Sequence, residues 1–289
     1  MPLNLSYEEI CTKFDRLISN GIITYQPSKP ILVTDKGMIL KMPPETTKSS
    51  MINGVASQPM SFGPGSDIAN DHPDVCVTTV NETHYLVMNK FPVFRPMLLL
   101  LTVDSYRRQH EPLELDDLEA GWSAICGLQE EHYVFFNCGL LAGSSREHKH
   151  LQVIPAPGRH EGYDERFKFF LDDPEQKEPG FVYFVQRFEE LSERRVKDGQ
   201  QLLEIYQKLL QQAREALDLS TDVACPHNFV LTQRWMVVIP RQAKEYHGIT
   251  TNSAGMMGSI AIWTQEQLDL WTKLGPMNVL KGLGLPRGD

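Results

Sequence analysis

The chain has 289 residues, 41% of them hydrophobic and 22% charged, with a formal net charge of −9 at pH 7. That length can bury an ordinary core, as one large domain or two closely packed ones, and the composition is that of a globular protein. The acidic balance excludes a broad electrostatic footprint for nucleic-acid polymers, but not small phosphorylated ligands, which need only a local cluster of N–H groups and a few cations.

The longest apolar cluster, Met97 to Leu101, has the length of a strand, so neither a membrane span nor a membrane partner is expected. The N-terminus lacks the basic-then-apolar pattern of a secretion signal, which makes a cytoplasmic location the default expectation. Cys11, Cys76, Cys126, Cys138 and Cys225 show no Cys-x-x-Cys spacing and read as free thiols rather than a zinc site.

Ser6-Tyr7-Glu8-Glu9 has the capping-box spacing, and Tyr7, Ile10, Phe14, Leu17 and Ile18 recur at helical intervals until Asn20-Gly21. Short strands are predicted at Gly21 to Tyr25 and Ile31 to Asp35, separated by Pro27 and Pro30. From 43 to 71 polar and small residues dominate, which predicts a mobile loop whose neighbouring Lys41 and internal Lys48 are solvated. Val75 to Val80, His84 to Lys90 and Met97 to Val103 predict an antiparallel meander. Leu115, Leu118, Trp122, Ile125 and Leu128 then form the stripe of a helix opening on Asp116-Asp117, with carboxylates where the helix dipole favours them.

Tyr133 to Phe136 reads as a strand. A strand at Phe181 to Phe188, a helix carrying Leu202 to Leu217, strands at Asn228 to Thr232, Trp235 to Pro240 and Gly258 to Trp263, and helices at Gln265 to Leu274 and Pro276 to Leu283 complete the chain. The hairpin after His84 and the hairpin after His227 have like polarity, the pattern of a duplicated half-sheet. The predicted class is α+β: a mainly antiparallel sheet flanked by helices, two half-sheets forming one extended sheet. The predicted division is a catalytic region at 1–160 and a C-terminal region at 161–289 packed on the same sheet.

The chemistry is placed between Asn137 and Pro155. In a strand, the period of two sets His148, His150 and Gln152 on one face, just after the turn Gly143-Ser144-Ser145. Three readings compete: a metal held by His-x-His, a histidine nucleophile toward phosphorus, or two structural histidines. The turn offers backbone N–H groups and hydroxyls to phosphate, and Gln152 adds an amide donor where a metal site would more naturally carry a carboxylate. The surroundings therefore point to phosphorus chemistry. Trp122, Trp235 and Cys138 read as packing residues.

Asn137-x-Gly139, Gly143-Ser144-Ser145 and His148-x-His150-x-Gln152 together resemble the signature of the histidine triad superfamily. The Gln narrows the resemblance to the branch of galactose-1-phosphate uridylyltransferase and diadenosine tetraphosphate phosphorylase. Leu86 to Val93, Trp235 to Arg241, Gly248-Ile249 and Asn252 are similar to the fungal-type phosphorylase, also called ATP adenylyltransferase. The resemblance implies a HIT-like fold and a nucleotidyltransferase. His150 would attack the α-phosphorus of a dinucleoside polyphosphate, and inorganic phosphate would then take the nucleotidyl group. Gln152 would donate to phosphoryl oxygens, His148 would fix the geometry, and Asn137, Gly143, Ser144 and Ser145 would hold phosphates.

Arg146-Glu147 stands where the family carries Gln-Pro, so Arg146 would either replace that amide as a cation or mark an altered substrate choice. Phe94-Arg95-Pro96 and Phe62-Gly63-Pro64-Gly65 are further departures. Lys90 is a candidate phosphate ligand beside its reading as a solvated strand end. The implied partners are nucleotides and phosphate, with no covalent cofactor, with Mg²⁺ accompanying the polyphosphate, and with a monomer or small homo-oligomer as the working form. A nucleotidyltransferase using another acceptor, such as a sugar phosphate, and a catalytically silent nucleotide-binding protein are the alternatives.

Overall fold

The computed structural model describes residues 3–27, 29–33, 38–42, 62–68, 72–158, 162–173, 175, 178–191 and 195–288. Helix α1, Tyr7–Ser19, starts where the Ser6 hydroxyl accepts from the Glu9 N–H and buries Ile10, Cys11, Phe14 and Leu17. It stops at Gly21, whose φ of +71° turns the chain back on itself. The N–H groups of Ile22 and Ile23 both return to the Leu17 carbonyl, so the strand expected at Gly21 to Tyr25 does not form. The next strand, β1, runs over Lys29–Val33 and includes Pro30. It pairs antiparallel with an unanticipated β2, Met38–Met42, and β2 pairs parallel with β11, Ser259–Ala261.

The main sheet takes its strands in the order β3 (Cys76–Val80), β4 (His84–Met88), β5 (Leu98–Thr102), β7 (His150–Pro155), β6 (His132–Cys138), β9 (His227–Leu231), β10 (Trp235–Pro240) and β8 (Phe184–Arg187). All neighbours are antiparallel. The pairing of β6 with β9, from Val134↔Leu231 to Cys138↔His227, joins the two halves into one sheet. The hairpins β4–β5 and β9–β10 flank the central β7–β6 pair, the extended sheet that the repeated polarity predicted.

Both faces of the sheet are covered, and strand parity decides which residue goes where. Val134, Phe136, Leu151 and Val153 pack with α1, with helix α2 (Leu115–Gly127) and with helix α3 (Gly199–Ala216). Tyr133, Phe135 and Ile154 face a second core, built from Tyr163, Phe167, Phe169 and Phe181 and from helices α5 (Gln265–Leu274) and α6 (Pro276–Leu283). A short helix α4, Ser253–Met256, closes that side near β6 and β9. Trp235 is fully buried in the second core, its indole donating to Asp172 at 2.8 Å. Among the described residues no helix is long and apolar enough to cross a membrane.

The same parity sends Lys149, between the two histidines, toward α2. Its buried ammonium donates to Asp117 at 2.6 Å and to the Pro112 carbonyl at 2.7 Å, and the other Asp117 oxygen lies 3.1 Å from His84 Nε2. Asp117 also accepts from the Glu114 N–H at 2.7 Å, so one carboxylate caps α2 and neutralises the lysine. Burial opposes its charge, but the hydrogen bonds and positive field of His84 and Lys149 outweigh that and hold its pKa below the ordinary carboxylate range. Asp117→Ala should lower the folding free energy by about 3–5 kcal/mol, read as a shift in the urea midpoint, because it strands a buried ammonium. With its folded pKa depressed, the Asp117 contribution is complete above the unfolded carboxylate pKa, about 3.9, and is lost as pH falls through the lower folded value. A urea midpoint in Asp117→Ala equal to that of the unaltered protein would contradict this account.

Candidate active site

The β6–β7 ladder runs from His132↔Pro155 to Phe135↔Gln152 and then opens. Beyond it, residues 147–149 pair with 107–109: the Lys149 N–H donates to the Arg107 carbonyl and the Gln109 N–H to the Glu147 carbonyl. The side-chain amide of Gln109 fills the fork. Its oxygen accepts from the His150 N–H at 2.8 Å, and its nitrogen donates to the His150 carbonyl at 3.0 Å and the Asn137 carbonyl at 3.2 Å. A buried side chain thus replaces the missing strand partner and satisfies backbone groups that would otherwise be orphaned.

His150 stands at the open end of the fork, and its Nδ1 lies 2.8 Å from the His148 carbonyl. A carbonyl only accepts, so Nδ1 carries the proton and Nε2 presents a bare lone pair. Burial disfavours the imidazolium and holds the pKa below the ordinary 6.5, so the ring is neutral at pH 7. His148 is wholly enclosed: Nε2 donates to the Thr102 carbonyl at 3.0 Å, and Nδ1 accepts from the Ser66 hydroxyl at 2.7 Å. With both ring nitrogens committed, His148 has no lone pair to share with His150, and the His-x-His metal reading fails on geometry. Among the described residues, no three His, Cys, Asp or Glu side chains converge as metal ligands.

The segment Phe62–Ile68 belongs to the site, which corrects the reading of 43–71 as one mobile loop. Asp67 accepts from the N–H groups of Glu147 and His148, both at 3.0 Å. Gly65 sits so close to Ser105 that a Cβ there would lie 2.5 Å from its carbonyl oxygen. Residues 43–61, including Lys48, and the side chain of Lys41 lie outside the described residues. The signal for this docking was Gly63-Pro64-Gly65 followed by Ser66-Asp67: small residues that allow close backbone approach, then side chains that bind backbone.

A pocket of about 350 Å³ lies over His150 and Gln152. Val87, Leu99 and Gln152, opposed in register across β4, β5 and β7, form its floor, with Phe62, Ile68 and Phe91 as apolar walls and Lys90, Ser145 and Arg146 among its polar groups. An apolar slot ending in an amide, an imidazole and two cations suits a base joined to a phosphate. The Gln152 amide has no side-chain hydrogen bond among the described residues, and Arg146 and Glu147 are exposed without pairing to each other.

Two expected phosphate ligands lie elsewhere. Asn137 is buried, its oxygen accepting from Asn228 at 3.0 Å and from the N–H and hydroxyl of Ser253 at 2.8 and 2.7 Å, so it joins β6, β9 and α4. Gly143, with φ +85°, is pressed against Thr251, whose carbonyl oxygen would be 2.2 Å from a Cβ. Ser145 lines the pocket, whereas Ser144 faces a neighbouring cleft that Ser145 and Arg146 also border. Cys138 packs, its thiol pushed up to about 12 chiefly by burial.

Two family models match, in chain order. Residues 68–166 match the Ap4A phosphorylase N-terminal domain, and residues 177–286 the ATP adenylyltransferase C-terminal domain. Both halves of the chain are thus similar to domains of Ap4A phosphorylases. Among curated relatives, diadenosine 5',5'''-P1,P4-tetraphosphate phosphorylase 2 of Saccharomyces cerevisiae is 30% identical over 213 residues, covering 65% of each chain. Protein APA1 of the same yeast is 30% identical over 206 residues, covering 64% of this chain and 63% of its own. The aligned stretch is thus just under two thirds of either relative's length. The crystal structure of the yeast Ap4A phosphorylase Apa2 in complex with Ap4A superposes with a TM-score of 0.74 at 26% identity, covering 98% of both chains. The described residues thereby share the fold of yeast Apa2.

NMR of nitrogen-labelled histidine should find His150 neutral, with the proton on Nδ1, down to a pH below 6.5. A ring that is already an imidazolium at pH 7 would refute the assignment.

Proposed function

We propose that this protein is a dinucleoside polyphosphate phosphorylase, cleaving diadenosine tetraphosphate with inorganic phosphate to ATP and ADP. The observation that carries the reading is the His150 Nδ1–H bond to the His148 carbonyl, which leaves a bare Nε2 at the end of an apolar slot. The two domain matches and the printed names of the relatives support the substrate class.

The reaction divides into two displacements at one phosphorus. His150 Nε2 attacks the α-phosphorus, an N–P bond forms, and the P–O bond to the rest of the chain breaks, releasing ATP. The ring becomes a substituted imidazolium, whose charge the His148 carbonyl stabilises through Nδ1–H. A phosphate oxygen then attacks the same phosphorus, the N–P bond breaks, and ADP leaves with His150 neutral again. The Gln152 amide donates to the equatorial oxygens, and Lys90 and Arg146 neutralise the anionic chain. Any Mg²⁺ enters on the polyphosphate as part of the substrate, and the cytoplasmic nucleotide pool is the proposed source.

Four outcomes are expected. His150→Ala should lose phosphate-dependent cleavage by about 10³-fold or more, and the unaltered protein, briefly incubated with substrate, should gain the mass of one nucleotidyl group on His150. Cleavage that survives in His150→Ala sinks the proposal. Gln109→Ala should lower kcat by about 10²-fold with KM little changed, since it frees the backbone that aims the nucleophile. The acid limb of the kcat profile should fall below pH 6.5, because activity needs neutral His150 and is lost as pH drops through its lowered pKa.

A further inference from the structure

Residues 109–114 form no helix or strand, yet this segment carries the amide that grips His150. With no ladder to shape it, its course is set bond by bond. The Gln109 carbonyl accepts from the Gly139 N–H at 3.1 Å, the Pro112 carbonyl accepts from Lys149, and the Glu114 N–H donates to Asp117. A further anchor comes from far along the chain. The Leu113 N–H donates at 3.1 Å to the phenol oxygen of Tyr206, 93 positions away on α3.

Tyr206 is 1% exposed in the core beneath α2 and α3, where its ring meets Phe229 edge-on at 5.6 Å. Phenylalanine would fill the same space, so packing does not account for the hydroxyl, and a buried hydroxyl costs free energy unless it is bonded. This one makes two bonds. Its oxygen accepts from Leu113, and its proton goes to His227 Nε2 at 3.0 Å. The next bond fixes that direction: His227 Nδ1 lies 2.8 Å from the Cys225 carbonyl, which only accepts, so Nδ1 carries the ring proton and Nε2 is the acceptor. Burial holds the His227 pKa at about 4 and raises the phenol well above its ordinary range, so neither group changes charge between about pH 5 and about pH 9.

His227 opens β9, opposite Cys138 at the end of β6. A line of neutral hydrogen bonds therefore runs from β9 through α3 to the segment that fills the fork. Leu113 stands four positions from Gln109, and Pro112, with φ held near about −65°, stiffens the connection. A Leu113 N–H left unpaired in the core would draw its segment toward water, and Gln109 would move with it. We infer that Tyr206 is a positioning residue for His150: by holding the Leu113 N–H it fixes where the Gln109 amide stands, and so where the imidazole is aimed. This rests on the phosphorylase reading, in which His150 is the nucleophile.

Tyr206→Phe keeps the ring and removes the hydroxyl. In the full-length protein it should lower kcat for phosphate-dependent cleavage of diadenosine tetraphosphate about tenfold, with KM within about twofold. In a Gln109→Ala background the same substitution should change kcat by less than about twofold, because both residues act through one grip. Leu209→Ala removes an apolar side chain from the same buried face of α3 and is the control: it should lower the urea midpoint at least as far, yet leave kcat within about twofold. Amide hydrogen exchange reads the grip without turnover. Relative to amides of the β9–β10 ladder, the His150 N–H should exchange about tenfold faster in Tyr206→Phe and at the unaltered rate in Leu209→Ala. His227→Asn, whose amide nitrogen stands in for Nδ1 and keeps the Cys225 bond, withdraws only the Nε2 acceptor and should produce the same two changes at about threefold. Unchanged His150 exchange in Tyr206→Phe, or kcat losses in Tyr206→Phe and Gln109→Ala that multiply, would overturn the inference. Absence of cleavage by the unaltered protein would overturn the phosphorylase reading instead, while the exchange rates still decide whether Tyr206 holds His150.

Discussion

Between β6 and β7 the sheet must do two incompatible things: remain continuous for the sake of both cores, and part at one strand end beside the pocket over His150 and Gln152. The amide of Gln109 reconciles them. It supplies one acceptor and one donor to His150 and a second donation to Asn137, so the backbone sees a neighbouring strand where there is only a side chain. An unpaired buried peptide group costs about 1–3 kcal/mol, which is why such forks are rare unless something fills them. Here the filler also orients the His150 ring, because His150 is gripped through its own backbone as well as through Nδ1.

The residues around His150 divide their work by strand parity. His150 and Gln152 face the pocket, and Lys149, Leu151 and Val153 face the helices. On the helical side Lys149 and Asp117 form a buried ion pair that ties the strand to the start of α2. Buried pairs of this kind add little net stability over apolar residues, yet removing one partner is expensive, so they act as keys that admit a single register. A one-residue slip of β7 would bury the imidazole of His150 against α2 and drive an ammonium into the slot. The ion pair therefore fixes which side chains face the pocket without lining it.

Much of this was legible in the sequence because it depends on local periodicity. The helical stripes gave α1, α2, α3, α5 and α6, and alternation from His148 to Gln152 put the imidazole of His150 and the amide of Gln152 on one face. What escaped was long-range. Gln109 carries no pattern of its own, and its meaning comes only from the fork into which it falls. Ser66 and Asp67 sit in a stretch whose composition reads as loop, yet they hold His148 from across more than eighty positions. Asn137 was expected as a phosphate ligand because the family resemblance implies it, but the alternation that exposes His150 says nothing of where β9 and α4 lie, and both donate to its oxygen. Gly21 to Tyr25 failed as a strand because the αL turn at Gly21 outcompeted β propensity.

The buried guanidinium of Arg241 donates to carbonyls of Leu283, Ala142, Thr251 and Ala243 and to the Asn228 oxygen, and burial lowers its pKa to about 10. Its hold on Ala142 spans 99 positions, and that of Ser253 on Asn137 spans 116. These bonds set an order of events during synthesis. The signature residues leave the ribosome first, but the turn beside them and the floor beneath it cannot close until the last part of the chain has emerged. A nascent chain that has not yet reached Arg241 and Ser253 carries the whole motif and still lacks the scaffold that shapes it.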